Sequence, residues 1–166
     1  LDSMLRRLTA QRDGLNWAAS AIAGIDGDVL DMGLGNGRTY DHLRETLPDR
    51  RVWVIDRILQ CHPSCVPPEA DFLQGEAVPM LEHLKSEGHK IVLAHYDFGF
   101  GVKEEDVAEA AAMSPVIASV MARGSPAMAA RSLAAVATAL EATCSGNVFS
   151  GKCTPVTTVS VDTRSS

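Results

Sequence analysis

The sequence predicts an α/β fold in which an open, mostly parallel sheet carries helices on both faces and ends in a C-terminal antiparallel hairpin. Short apolar runs alternate along the chain with stretches of helical periodicity. Runs that are apolar at every position are typical of parallel strands that helices cover on both faces. No repeat or low-complexity linker interrupts this alternation, and 166 residues is a usual length for one domain. We therefore expect a single domain over 1–166.

The first elements lie around a cluster of glycines. Apolar residues recur at helical spacing over 3–23, which predicts a helix that Asp2 or Ser3 can cap. The run DVLDM at 28–32 predicts a buried strand that leads into a glycine-rich turn. The following RTYDHLRETL is typical of a helix, and Pro48 closes it.

Three more strands and one helix complete the first part of the chain. RVWVID at 51–56 is β-branched and aromatic and ends in an acid, DFLQG at 71–75 predicts a third strand, and KIVLAHYD at 90–97 predicts a fourth. A helix is predicted over 76–87, with Pro79 in its first turn, where proline is tolerated. The expected core stripe of this helix is Val78, Leu81 and Leu84.

The later part of the chain is rich in alanine. KEEDVAEAAAM at 103–113 suits the start of a helix, because acidic residues there complement the helix dipole. Ser114 and Pro115 predict a kink or a new helix cap. The remaining predicted elements are a fifth strand in SPAMAARS, a helix in LAAVATALEAT and a closing hairpin formed by NVFSGKC and PVTTVSV.

The bulk properties argue against several classes of function. A formal net charge of −6 disfavours a nucleic-acid partner, because phosphate binding needs a clustered basic face. No apolar run approaches the roughly 20 residues that span a bilayer. The N-terminal LDSMLRRLTAQRD is charged where an export signal is apolar. We therefore expect a cytoplasmic protein with no membrane or nucleic-acid partner.

The four cysteines fit neither a disulfide framework nor a zinc-ribbon pattern. The stretch CHPSC offers Cys61, His62 and Cys65 as soft metal ligands. Zinc sites usually add a second matching pair, which Cys144 and Cys153 do not form. The sequence therefore favours reduced loop cysteines and no metal site, with metal binding as the alternative.

The stretch GDVLDMGLGNGRTY places Gly33, Gly35 and Gly37 directly after the first strand. In an open parallel sheet, ligands bind beyond the carboxyl ends of the strands, and glycine there removes the Cβ that would collide with a ligand. A dinucleotide turn needs a third small residue, but the two alignments put Arg38 or Tyr40 in that place. A phosphate loop needs a Gly-Lys-Ser/Thr sequence, which does not follow.

The pattern that does fit is an acid, Asp31, followed by three alternate glycines. It resembles the first motif of class I S-adenosylmethionine-dependent methyltransferases, and two further stretches match that family in order. WVID is similar to the second-strand motif, whose terminal acid, here Asp56, holds both ribose hydroxyls of the cofactor. QGEA is similar to the motif after the third strand, in which Glu76 would bind the adenine amino group and the Ala77 backbone would meet the ring. LDSMLRRLTAQRD and HPSCVPP are also similar to a small bacterial group of such enzymes, named for its cofactor rather than a substrate.

The resemblance implies a Rossmann-like sheet, S-adenosyl-L-methionine as the cofactor and methyltransferase activity. It divides the domain into an N-terminal helix over 1–24, a cofactor-binding half over 27–100 and a C-terminal half over 101–166. Arg57 would stack on the adenine or stay exposed, and Asn36 would contact the methionine carboxylate or cap a helix. The implied cofactor-binding residues are Asp31, Gly33, Leu34, Gly35, Asn36, Gly37, Asp56, Arg57, Glu76, Ala77 and His95.

A base for the acceptor would stand at the end of the fourth strand, where AHYDFGFG offers His95 and Asp97. Strand alternation sends these two side chains to one side and Tyr96 to the other. We expect Asp97 to orient the acceptor or remove its proton, with His95 as the second catalytic candidate. The alternatives are a helix cap for Asp97 and a packed imidazole for His95.

The predicted function is methyl transfer from S-adenosyl-L-methionine to an acceptor that the sequence does not identify. A domain of this size has little room for an inserted recognition domain, so we expect a small-molecule acceptor, or one held with help from a partner subunit. The family's Asn-Pro-Pro-aromatic motif is absent, which counts against amino-group methylation of bases and glutamine. The N-terminal helix would cover the site or make a dimer contact, which leaves a homo-oligomer open. The alternatives are a nicotinamide-dependent oxidoreductase and a non-catalytic protein that binds S-adenosyl-L-methionine.

Overall fold

The computed structural model describes residues 1–99 and 102–122, together with the backbone of short strands at 126–129, 148–149 and 157–160. The helices in these residues are α1 (Asp2–Ala21), α2 (Arg38–Thr46), α3 (Ala77–Ser86) and α4 (Lys103–Val120). The strands are β1 (Asp28–Met32), β2 (Val52–Asp56), β3 (Phe72–Gln74), β4 (Ile91–Tyr96), β5 (Pro126–Ala129), β6 (Val148–Phe149) and β7 (Thr157–Ser160). None of the helices in the described ranges combines the length and the apolar character that crossing a bilayer requires.

The strands form one sheet in the order β3-β2-β1-β4-β5-β7-β6. β1 pairs in parallel with β2 and β4, and the parallel pairing continues to β3 on one side and to β5 on the other. β7 pairs antiparallel with both β5 and β6. The predicted α/β class with a mostly parallel sheet is confirmed. The residues between β6 and β7, where a hairpin is predicted, lie outside the described part of the chain.

The strand order reverses between β1 and β4, which are neighbours although two strands separate them in the sequence. The chain leaves β1 towards one edge of the sheet through β2 and β3, and it returns to the other side of β1 with β4. The carboxyl ends of β1 and β4 therefore border a crevice of the kind in which open parallel sheets bind their ligands.

Helices cover both faces of the sheet. On one face, α3 and α4 form an apolar cluster with alternate strand residues, which includes Leu30, Ile55, Leu81, Leu84 and Ile117. On the other face, α1 and α2 form a second cluster, which includes Leu15, Ile22, Val29, Leu43 and Val54. Because strand side chains alternate, Asp31 points to the same face as Val29, which is the face that α1 covers.

One predicted core residue of α3 is exposed. Val78 is 39% exposed, whereas Leu81 and Leu84 are fully buried as predicted. Val78 lies in the first turn of the helix, at the rim of a cavity beyond the strand ends, where no strand residue can cover it. The core stripe therefore begins one turn later than the sequence pattern indicates.

Two helix boundaries also differ from the prediction. α4 runs through Ser114 and Pro115 without a new cap, because Pro115 lies on the exposed side, where water can satisfy the carbonyl group that loses its donor. α1 begins with Leu1 as its N-cap, so neither of the two predicted side chains caps it. The helix predicted over 133–143 lies outside the described residues.

Candidate functional site

The glycine turn follows β1 and packs against the end of β4. Gly33 has a φ of 93°, a left-handed value that favours glycine. A Cβ at Gly33 would lie 2.8 Å from the carbonyl oxygen of Asp97, so no side chain fits there. A Cβ at Gly35 would meet no described atom within 4 Å. One side of the turn is therefore packed against the protein, and the other side is open.

Asp56 ends β2 beside this turn. Its carboxylate accepts the Gly35 N–H at 3.3 Å and the Ile58 N–H at 3.3 Å. Both hydrogen bonds are long, and a carboxylate has about four acceptor positions, so it can accept further donors. This carboxylate is the polar group that a ligand lying on the turn would meet first.

Two cavities meet at Asp56. The first, of about 370 Å³, lies between the glycine turn and α1. Its walls are turn residues 33–36, the side chains of Arg7 and Gln11, and Asp97. α1 therefore forms one wall of this cavity, which agrees with the first of the two roles considered for the N-terminal helix.

The second cavity, of about 340 Å³, lies on the other side of Asp56, between the end of β2 and the start of α3. Arg57, Glu76, Ala77 and Val78 line it. Arg57 Nε lies 3.0 Å from Oε1 of Glu76, and the two side chains are 54% and 66% exposed. An exposed ion pair of this kind contributes little free energy, so a ligand can separate it at little cost.

A larger open groove, of about 910 Å³, lies at the opposite end of the strands. Its Arg50 guanidinium donates to the carbonyl oxygens of Ile22, Ile25 and Gly27 at 2.7–2.8 Å. These bonds tie the end of α1 to the start of β1. We do not consider this groove a ligand site, because it lies at the amino ends of the parallel strands, away from the crevice between β1 and β4.

A buried hydrogen-bonded network lies beneath the glycine turn. Asp31 and His95 are both 0% exposed, and His95 Nδ1 lies 2.7 Å from Oδ1 of Asp31. Gln11 Nε2 lies 3.4 Å from His95 Nε2 and donates to Oδ2 of Asp97 at 3.0 Å. One proton placement satisfies all three bonds: Nδ1 carries the imidazole proton, and the two amide hydrogens of Gln11 point to His95 and to Asp97.

The Asp31 carboxyl is held in an apolar setting. Burial raises the pKa of Asp31 above its usual range, and the hydrogen bond with His95 opposes only part of that rise. Its second oxygen, Oδ2, is one of two buried side-chain atoms without a hydrogen-bond partner among the described residues, the other being the Tyr96 hydroxyl. A buried acceptor without a partner costs free energy in a folded protein.

Asp97 stands at the wall of the first cavity. Its side chain is 15% exposed, accepts the Gln11 amide and lies 4.0 Å from Arg7 Nη1. The alternative of a helix cap does not apply, because α4 begins several residues later with Val102 as its N-cap. The carboxylate is therefore oriented by α1 and reaches the cavity.

Most of the predicted site residues border the two cavities, but three do not. The residues that line them are Gly33, Leu34, Gly35, Asn36, Asp56, Arg57, Glu76, Ala77 and Asp97. Asp31 and His95 lie beneath the turn and line neither cavity, so the packed-imidazole description fits His95. Gly37 lies at the end of the turn, against Cys61 and Cys65.

The sequence analysis left open whether the N-terminal helix covers the site, and it did not identify Gln11 as a residue of the cavity wall. Gln11 lies three residues after Leu8 and four before Leu15, so helical periodicity places it on the apolar face. A polar residue on the apolar face of the helix was the sequence signal that could have identified Gln11. No group of three or more potential metal-binding side chains exists among the described residues.

The chain matches one protein family over most of its length. The family, described as S-adenosyl-L-methionine methyltransferase, matches residues 1–149. The crystal structure of an S-adenosyl-L-methionine methyl transferase from Silicibacter pomeroyi DSS-3 is 35% identical, covers 76% of this chain and 78% of that chain, and has a TM-score of 0.72. No curated protein matches the chain.

More distant structures share the fold. Calicheamicin methyltransferase CalS11 is 12% identical, with a TM-score of 0.60, over 92% of this chain and 79% of that chain. Human methyltransferase-like protein 13, in complex with SAH, is 11% identical, with a TM-score of 0.62, over 95% of this chain and 82% of that chain. At these identities the similarity supports the architecture alone.

Proposed function

This chain belongs to the S-adenosyl-L-methionine methyltransferase family, and we propose that it binds the cofactor across Asp56 and methylates a small acceptor beside Asp97. The observation that carries the proposal is the meeting of two cavities at one carboxylate, next to a glycine turn that is open on its outer side. The cofactor supplies a methyl group on a positively charged sulfur.

The residues around Asp56 fit the cofactor's chemistry. A ribose diol offers two adjacent hydroxyl donors, and an ionised carboxylate is the acceptor best suited to bind both. Asp56 accepts two long hydrogen bonds from the described residues, and a carboxylate with about four acceptor positions retains capacity for the diol. The two cavities on either side of it can take the two ends of one elongated molecule.

We assign the adenine to the cavity at the start of α3. Ala77 is the first residue of that helix, and the N–H groups of a first helical turn lack partners inside the helix, so Ala77 N–H can donate to the ring. Glu76 would accept from the adenine amino group after leaving its ion pair with Arg57. Val78, exposed at the rim, and the Arg57 guanidinium are placed to contact the ring faces.

We assign the amino-acid head to the cavity between the turn and α1. Asn36, Arg38 and Arg7 border it and can donate to a carboxylate. Asp31 lines no cavity, so in this proposal it acts only through its hydrogen bond with His95 and does not touch the ammonium group. Asp56 and Asp97 are the two carboxylates that line this cavity, and the proposal assigns Asp56 to the ribose and Asp97 to the methyl acceptor.

Methyl transfer needs chiefly that donor and acceptor be held in line. Asp97 would hold the acceptor and take its proton where the acceptor is a hydroxyl or a protonated amine. Gln11 fixes the position of the Asp97 carboxylate, and the Asp31–His95 pair fixes the position of Gln11. In this proposal His95 positions the network and does not touch the ligand.

The decisive experiment measures transfer of the methyl group from the cofactor to an acceptor. Purified protein is incubated with S-adenosyl-L-methionine carrying a labelled methyl group and with fractions of a small-molecule extract. We expect label in one extract component and release of an equal amount of S-adenosylhomocysteine. Tight binding of the cofactor with no release in any fraction would support the non-catalytic alternative. Binding of a reduced nicotinamide dinucleotide in a fluorescence titration would support the oxidoreductase instead.

A further inference from the structure

Two cysteines lie against the back of the glycine turn. Gly37 has a φ of 82°, and a Cβ there would lie 3.2 Å from the Cβ of Cys61 and closer still to the Cβ of Cys65. Both cysteine side chains thus converge on one point beside the Gly37 α-carbon. Cys61 is half-buried, Cys65 is buried, and both are free thiols. The proposed function uses neither of them.

The residue after Cys61 is hydrogen-bonded to the turn. The His62 N–H donates to the carbonyl oxygen of Asn36 at 3.3 Å. Asn36 is part of the cavity wall to which the amino-acid head is assigned. A displacement of Cys61 is therefore transmitted by one peptide unit to a residue of the cofactor site.

Cys65, in contrast, is held in place. Arg44 Nη2 donates to the carbonyl oxygen of Ser64, the residue before Cys65, at 2.7 Å. The Cys65 N–H donates to the carbonyl oxygen of His62 at 2.8 Å and closes a short helical turn. Two hydrogen bonds therefore hold the segment that carries Cys65, and Cys61 is the more exposed member of the pair.

We propose that Cys61 and Cys65 form a reversible disulfide whose closure loosens the glycine turn and lowers the affinity of the protein for S-adenosyl-L-methionine. A disulfide needs Cβ atoms about 3.8 Å apart. Both Cβ atoms lie against Gly37, and in this proposal the pair closes by movement of Cys61 towards Cys65. That movement draws the His62 N–H away from Asn36, so the turn loses a hydrogen bond. The effect on affinity rests on the proposed function, whereas disulfide formation does not.

The oxidant for this step is a small-molecule disulfide such as glutathione disulfide. The Cys61 thiolate, the more accessible of the two, attacks one sulfur of glutathione disulfide, forms a mixed disulfide and releases one glutathione thiolate. The Cys65 thiolate then attacks the Cys61 sulfur, closes the Cys61–Cys65 bond and releases the second glutathione. The protein loses two protons and two electrons, and glutathione disulfide becomes two molecules of thiol.

The pH dependence of the reaction rate follows from the surroundings of the Cys61 thiol. Burial raises the pKa of the Cys61 thiol above its usual range. Only the thiolate attacks a disulfide, so the reaction is faster at mildly alkaline pH than at neutral pH. The oxidation is therefore carried out at a pH of about 8.5, the usual thiol pKa.

The test uses the full chain with Cys144→Ser and Cys153→Ser, so that only this pair remains. Trypsin releases residues 58–85, which contain both cysteines and no internal lysine or arginine. After treatment with glutathione disulfide we expect this peptide to lose the mass of two hydrogens. The same protein with an added Cys61→Ser change is the matched control, and it can only form a glutathione adduct.

Two further readouts follow the effect on the turn. We expect hydrogen exchange at the amides of 33–37 to become faster in the oxidised protein. We expect the Kd for S-adenosyl-L-methionine, from calorimetry, to rise about five-fold or more, the lower end of coupling between two sites. A reducing agent restores both values.

Two results would overturn the proposal. The first is a stable glutathione adduct on separate cysteines with no loss of two hydrogens. The second is a disulfide that forms while exchange in the turn stays unchanged. If the reduced protein does not bind the cofactor at all, the proposed function fails. The peptide mass then still shows whether the disulfide forms, and hydrogen exchange at 33–37 still shows whether it loosens the turn.

Discussion

The three carboxylates at the ends of β1, β2 and β4 have very different surroundings. Asp31 is buried beneath the turn, and one of its oxygens has no hydrogen-bond partner in the part of the chain that the structure describes. Asp56 faces two cavities, and Asp97 is partly buried at the wall of one of them. Burial favours the protonated form of a carboxyl group, and exposure favours the charged form that binds donors. The three aspartates are therefore expected to differ in function, and replacing each of them should affect a different property: stability for Asp31, cofactor affinity for Asp56 and turnover for Asp97.

Replacing Asp56 by alanine is expected to weaken binding of S-adenosyl-L-methionine by about 1.5–3 kcal/mol, the range for hydrogen bonds to charged groups. This range corresponds to roughly a ten- to hundred-fold rise in Kd, which isothermal titration calorimetry can measure. Asp49→Ala is the matched control, because it removes an exposed carboxylate at the opposite end of the strands. Equal affinities of Asp56→Ala and the unchanged protein for S-adenosyl-L-methionine would show that Asp56 does not bind the cofactor.

Replacing Asp97 by asparagine is expected to lower kcat by about 100-fold or more if the acceptor must lose a proton, the usual effect of a general base. The Kd for the cofactor should change by less than about two-fold, because asparagine keeps the size of the side chain and can accept the Gln11 amide. Steady-state kinetics with the identified acceptor checks the first value, and calorimetry checks the second. Asp13→Asn, on the exposed side of α1, is the control; undiminished turnover of Asp97→Asn would exclude the role.

Asp31 gives a prediction for the pH dependence of stability. Because its pKa is raised above 3.8 in the folded protein, folding takes up a proton between 3.8 and that higher value. The contribution of Asp31 to the free energy of unfolding therefore decreases as the pH rises through this window. We expect the difference in unfolding free energy between the unchanged protein and Asp31→Asn to fall over the same range in urea titrations. A difference that is constant with pH would contradict the burial argument.

At the scale of the elements, the glycine turn and the strands that flank it could be predicted, because their signals are local. β1 and β2 are short apolar runs, and the turn is marked by glycines at Gly33 and Gly35. Covering of the site by α1 was one of two expectations, but the contact of Gln11 with His95 could not be predicted, because 84 residues of sequence separate the two. Which helix covers which face of the sheet depends on packing between distant segments, and no local pattern encodes it.

The difference between Val78 and Leu81 gives a test of the α3 packing. Leu81→Ala is expected to lower the free energy of unfolding by about 2–5 kcal/mol, because it leaves a cavity in the core. Val78→Ala should change it by less than about 0.5 kcal/mol, since that side chain is already in contact with solvent. Urea denaturation measures both. A large loss of unfolding free energy in Val78→Ala would instead show that Val78 belongs to the core, as the sequence pattern predicts.

At the scale of the whole molecule, the strand order explains why the site lies where it does. The reversal between β1 and β4 opens a crevice at the carboxyl ends of the strands, while Arg50 ties the chain together at the amino ends. A sequence pattern predicts parallel strands but not their order. The place of the reversal was nevertheless predictable, because the glycine turn marks the end of β1, the strand at which the order reverses.

Ligand binding at this crevice should stabilise the whole domain. S-adenosyl-L-methionine at about 100 times its Kd contributes roughly 2.7 kcal/mol to the folded state by mass action. For a domain of this size that amounts to an increase of about 5–10 °C in Tm, measured by differential scanning calorimetry. A reduced nicotinamide dinucleotide at the same concentration is the control, for which we expect no increase. Equal increases with both ligands would contradict selective binding of the cofactor.

The amide of Gln11 has a consequence for the chemistry of acceptors. Both of its hydrogens are already engaged, one by the imidazole and one by Asp97, and its orientation cannot reverse without breaking both bonds. Nothing in that arrangement leaves a proton to offer to an incoming molecule. A molecule that carries only lone pairs finds no free hydrogen on the Gln11 amide, whereas an alcohol or an amine brings a hydrogen that the Asp97 carboxylate can accept.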